Sequence, residues 1–120
     1  MEIKRFEDLE VWQLSRLLVK DIYLMTQSGN MVKDFGFCNQ VQRAALSIMN
    51  NIAEGFERKS SKEFVQFLFI AKSSCGEVRS MLYVAQDIGY IDIESFSKLL
   101  KQTETISKSL SGFIKYLKSR

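Results

Sequence analysis

A chain of 120 residues, 46% hydrophobic and 26% charged, is long enough to bury one core without disulfides or metals, and its composition argues against disorder. A net charge of +3 permits an anionic partner without demanding one. The absence of histidine removes Ser-His-Asp and Cys-His nucleophile pairs, imidazole bases, almost every zinc site and the Glu-x-x-His pairs that hold two irons in helical bundles. No Gly-rich phosphate loop is present, so no catalytic residue, metal, cofactor or small-molecule substrate is expected. The longest apolar runs, such as Phe67 to Ala71, are too short to cross a bilayer, and Met1 to Arg5 lacks the apolar core of a signal peptide. A cytoplasmic protein is the expectation, with Cys38 and Cys75 as reduced thiols.

The first helix is predicted from Leu9 to Gln27, ended by Ser28-Gly29-Asn30, with Val11, Trp12, Leu18, Val19, Ile22 and Tyr23 on one broad face. Met31 to Gly36 reads as the longest loop. The second helix follows from Phe37 to Phe56, with Val41, Ala44, Ala45, Ile48 and Ile52 on one face. Ser60-Ser61-Lys62-Glu63 is a capping box opening a third helix over 61–88, which Gly89 stops. Its stripe of Phe64, Leu68, Ala71, Cys75, Val78, Leu82 and Ala85 alternates steps of four and three, the repeat of left-handed helix packing. Asp92 caps a fourth helix over 93–118, whose stripe runs Phe96, Leu99, Thr103, Ile106, Leu110, Phe113, Leu117. Gly112 interrupts it at a cost of about 1 kcal/mol relative to alanine, which a close backbone approach would explain. The fold class implied is all-α: one antiparallel, up-and-down four-helix bundle with a left-handed twist.

Two helices carry more apolar surface than one core needs. Leu46, Met49, Ala53 and Phe56 widen the apolar arc of the second helix to about 200°, beyond the roughly 100° of a surface helix. Leu14, Leu17 and Leu24 form a second line on the first helix. Scattered surface leucines are one explanation, and burial against further copies of the chain is the favoured one. Arg43, Ser47, Asn50 and Glu54 make a narrow polar stripe on the second helix, read either as a solvated face or as a polar seam or binding surface.

Positive charge gathers in the last helix. Lys101, Lys108 and Lys115 repeat opposite its core stripe, with about 10 Å between members. Arg58, Lys59 and Lys62 form a second cluster at the turn before the third helix, expected at the same end as Lys118 and Arg120. Both groups suit phosphate contact, although lysines opposite a core stripe are more often just a solvated face. Glu2, Glu7, Asp8, Glu57 and Glu63 crowd that same end, and no RNA-binding module signature appears.

The stretch Gln42 to Gly55, reading QRAALSIMNNIAEG, resembles the signature of the 23S rRNA intervening-sequence protein family. Phe6 to Trp12, Ser61 to Phe64, Ile70 to Ser74 with Glu77, and Gly89-Tyr90-Ile91 follow the same pattern, so the resemblance covers nearly the whole chain. It departs at two places: members carry a Phe-Pro step where this chain has Gly29 to Phe37, and a proline where it has Met49. The resemblance implies an up-and-down bundle assembled into a homo-oligomeric ring of five subunits, with no enzyme activity. It also implies an RNA- or ribosome-associated accessory or scaffold role, inferred from the genomic setting of the family. The alternative is a protein–protein assembly module with no nucleic-acid role.

Overall fold

The computed structural model describes residues 3–120. Among these, four α-helices are present: α1 (Glu10–Thr26), α2 (Phe35–Phe56), α3 (Ser61–Asp87) and α4 (Ile93–Lys118). Short 3₁₀ turns at Phe6–Asp8 and Gly29–Lys33 precede the first two. The caps explain three of the starts. Asp34 accepts from the Phe37 N–H (3.1 Å), Ser60 from Glu63 (3.2 Å) and Asp92 from Ser95 (2.8 Å), each satisfying a donor that a helix N-terminus leaves free. At the end of α3, Gly89 takes φ +80°, while Tyr90 N–H donates to Ala85 and Gly89 N–H to Gln86. That is the Schellman arrangement, which a side chain would strain.

Neighbouring helices pack in the cycle α1–α2–α3–α4–α1 around a shared core. Early residues of one helix meet late residues of the next. Gln40 meets Glu77, Ser47 meets Ser74 and Gly55 meets Phe67 across α2–α3, while Phe64 meets Phe113 and Tyr83 meets Phe96 across α3–α4. The body measures 47 × 21 × 20 Å.

Several expectations are corrected. The segment read as the longest loop is largely the 3₁₀ turn, pinned by Met31, which is fully buried, and α2 begins two residues early because Asp34 caps it. As read from the sequence, α2 runs unbroken through Met49, where without a proline every N–H is available. Trp12, Val19, Tyr23, Phe64 and Phe113 are only half-buried, while Ile114 joins the core. A helix of 3.6 residues per turn drifts about 20° per heptad against a 3.5 repeat, so late in α4 the stripe broadens to take in residue 114. Gly112 has nothing within 4 Å of where its Cβ would lie, so no close approach explains it. The close approach is at Gly55 instead, where a Cβ would stand 2.7 Å from Phe67 Cβ and 2.9 Å from the Phe64 ring.

Candidate interaction surfaces

Lys101, Lys108 and Lys115 are all exposed on the outer side of α4, and none forms an ion pair among the described residues. The second basic cluster is more restrained. Arg58 Nη2 pairs with Glu54 Oε2 at 2.9 Å, and its guanidinium lies 4.7 Å from the centre of the Phe67 ring. Both partners are exposed, so the pair adds little stability but does occupy the arginine. Lys59 and Lys62 stand free in solvent beside Glu63, which accepts a bond from the Ser60 hydroxyl. Lys118 Nζ sits 5.9 Å over Phe69, which puts the C-terminus at this end of the bundle. Of the acidic residues expected here, Glu2 lies outside the described residues.

The polar stripe on α2 divides. Ser47 is half-buried between helices, its Oγ 2.7 Å from Ser74 Oγ, and Asn51 Nδ2 donates to the Ser47 carbonyl and hydroxyl. Arg43, Asn50 and Glu54 are solvent-exposed. Arg43 and Ser47 line a shallow cleft of about 420 Å³ with Gln40, Ser74 and Glu77. Only Ser47 belongs to a seam.

The apolar surplus divides in the same way. Leu46, Met49 and Phe56 are half-buried. They share the side of α2 from which Gln42 donates to Thr26 Oγ1 of α1, and Phe56 meets Phe64 edge-on at 6.0 Å. Much of this line is therefore covered within the chain. On α1, by contrast, Leu14 is half-buried, but Leu17 and Leu24 are 55% and 52% exposed. Leu14 and Leu17 line an apolar groove of about 300 Å³ against Lys98, Lys101, Gln102 and Ile106 of α4. Leu24 lines another of about 410 Å³ with Asp21, Tyr90 and Lys98. A third, of about 220 Å³, opens between Val11 and Gly112. Together these grooves make a furrow along the α1–α4 seam, bridged where Gln102 Nε2 donates to Asp21 Oδ2 at 3.1 Å.

Core-stripe periodicity hides one further surface. On the outer side of α3, Phe69, Ile70, Tyr83 and Val84 are exposed around Ser73, Gly76 and Ser80. The signal was available as a second four-three alternation: 69, 73, 76, 80, 83.

Nothing in the titration of the described residues suggests a nucleophile. Burial pushes the Cys75 thiol up to about 11 and also raises Cys38, the opposite of an activated cysteine. The described residues hold no group of three or more Cys, Asp or Glu able to bind a metal ion, and no helix long and apolar enough to cross a membrane.

The family model described as 23S rRNA-intervening sequence protein matches residues 7–112, a span that reaches into all four helices and takes in both apolar surfaces. The chain belongs to that family. A solved structure with a TM-score of 0.80 and 27% identity supports the assignment. It is described as a protein with unknown function from the S23 ribosomal protein family of Bacteroides thetaiotaomicron VPI-5482, and the alignment covers 88% of this chain and 98% of that one. No curated protein matches the chain. That protein thus shares the four-helix fold seen here.

Proposed function

We propose that this protein is a non-enzymatic, self-assembling bundle that serves as an RNA- or ribosome-associated accessory or scaffold protein in the cytoplasm. The observation that carries the RNA part is the row of unpaired lysines, Lys101, Lys108 and Lys115, along the outside of α4. Such a row follows a phosphate backbone by charge alone. The family name, which points to 23S rRNA, agrees with it. Reverse-order contacts between successive helices support an antiparallel, single-domain bundle, and the four-three stripes of α3 and α4 support a left-handed twist. Exposed Leu17 and Leu24 support self-association, for which we take the ring of five as the working arrangement.

The test is RNA retention against salt. Parent protein should bind ribosomal RNA with an affinity that falls steeply as salt rises. Changing all three lysines to glutamine should flatten that dependence by roughly 0.7–0.9 log units for each phosphate no longer neutralised, while helicity is unchanged. Unchanged binding would move the site, first to Arg58, Lys59 and Lys62. A second reading, a protein assembly module without nucleic acid, is favoured by the exposed apolar faces of α1 and α3. Absence of RNA binding by the parent would select it.

A further inference from the structure

We infer that the furrow between α1 and α4 is filled by the outer face of α3 from a second copy of this chain, an inference that rests on the self-association proposed above. The furrow is a negative of a helix. On α1 it is walled by Glu10, Leu14, Leu17, Asp21 and Leu24, at steps of four and three. On α4 it is walled by Ser95, Lys98, Gln102, Thr105, Ser109 and Gly112, with the same alternation. Two adjacent helices that each present a 3.5-residue repeat form the holes into which the knobs of a third helix fit.

The face of α3 supplies those knobs. Phe69, Ser73, Gly76, Ser80 and Tyr83 share the repeat and span about 21 Å, the length of α1 from Glu10 to Leu24 at 1.5 Å per residue. The aromatic ends are already held in place, Phe69 beneath Lys118 and Tyr83 edge-on to Phe96, so docking immobilises little. Between them the ridge is flat. A Cβ on Gly76 would meet nothing within 4 Å, which leaves room for Leu17 of the neighbouring copy.

Polar groups agree with the fit. Glu77, on the α2 flank of the middle of the ridge, accepts from Gln40 at 3.2 Å but has no ion-pair partner among the described residues, and neither have Lys98 and Lys101, which line the furrow. Matching the two centres, in the helix direction that turns this flank of α3 toward α4, brings Glu77 to Lys101 and leaves Lys108 and Lys115 of the basic row to follow phosphate. Gln102 Nε2 donates to Asp21 Oδ2 at 3.1 Å, so these two wall residues hold each other in place before docking. Ridge and furrow lie on different sides of the bundle, so each copy offers one and receives the other, the head-to-tail contact from which rings are built.

The experiment is sedimentation of the parent, Gly76→Gln, Glu77→Lys, Lys101→Glu and the double variant Glu77→Lys/Lys101→Glu. Glutamine at residue 76 favours the helix, and its Cβ would meet nothing within 4 Å at this exposed position, so that variant should melt no lower than parent as an isolated subunit. It should nonetheless weaken assembly by at least about tenfold, as should each charge reversal alone, while the double reversal restores it to within a few-fold. An assembling parent whose Gly76→Gln and Glu77→Lys variants assemble equally well overturns this pairing and leaves self-association standing. So do single reversals that the double does not rescue. A parent that sediments as one chain overturns both.

Discussion

Opposite sides of the bundle solve the same packing problem differently. Between α2 and α3, Gly55 lets the backbones close until Phe64 and Phe67 lie against it, and Ser47, Asn51 and Ser74 bond across a seam of small side chains. Between α4 and α1, Ser109 and Gly112 leave a cleft beside Leu9 and Val11, and Leu17 and Leu24 stay half exposed over two further grooves, so the seam is only partly filled. Small residues close an interface only when the opposing surface is flat; opposite bulky, half-turned side chains they leave a groove. On the proposed account the open side carries the interaction chemistry. Leu17 and Leu24 are already about half covered, so burying the rest contributes roughly 1–1.5 kcal/mol each. Association costs an estimated 4–15 kcal/mol or more, so two leucines alone would not hold an assembly, which is why the proposed contact adds the aromatic ridge of α3.

The strongest break in this comparison is a charge on each side. Leu68→Asp or Leu82→Asp, both at fully buried positions, should cost on the order of 4 kcal/mol or more and abolish cooperative unfolding. Leu17→Asp should leave the helical spectrum intact and change only the mass in solution. Normal melting of both core variants would mean that the stripe has been assigned to the wrong face.

Glycines give the next largest contrast. Gly55→Ala forces α2 and α3 apart, because Phe67 Cβ cannot swing away, and should destabilise by about 1–3 kcal/mol despite alanine's better helix propensity. Gly112→Ala, in open space, should stabilise by up to about 1 kcal/mol. Equal melting shifts of one sign would erase the distinction between the seams.

A smaller effect concerns the turn that closes the lower furrow, where Tyr90 donates to Asp34 Oδ2 at 2.6 Å. That bond, with the Phe37 N–H, holds the Asp34 carboxyl below its usual 3.8, and the carboxylate holds the Tyr90 phenol above its usual 10.0. A lowered acid contributes stability above 3.8 that is lost as pH falls through its folded value; a raised phenol contributes below 10.0 and loses it as pH rises. Tyr90→Phe should therefore melt below parent by a constant margin at neutral pH, with the margin closing at both extremes. A margin independent of pH would assign the loss to packing.

Much of this was legible in the sequence. The capping box at Ser60, the Asp92 cap, the Gly89 stop and the four-three stripes lie in local spacing, and the Gln42 to Gly55 stretch by itself pointed to the family. What stayed hidden depends on which helices become neighbours. Leu46 and Leu17 look alike as surplus hydrophobes, yet only the first sits where most of it is covered. Gly112 stands out as an anomaly in its helix, while Gly55, close to the end of its own, reads as a terminator. The outer stripe of α3 is masked because a core stripe on the same helix already explains its periodicity.

On this reading the open side of the bundle is covered by other copies of the chain. Light scattering of the parent at micromolar concentration tests that without assuming an interface, because it reads mass alone. It should give a fixed multiple of the 13.9 kDa chain, five for the proposed ring. A dimer or tetramer would keep the interface and discard the ring, whereas 13.9 kDa itself would contradict self-association altogether.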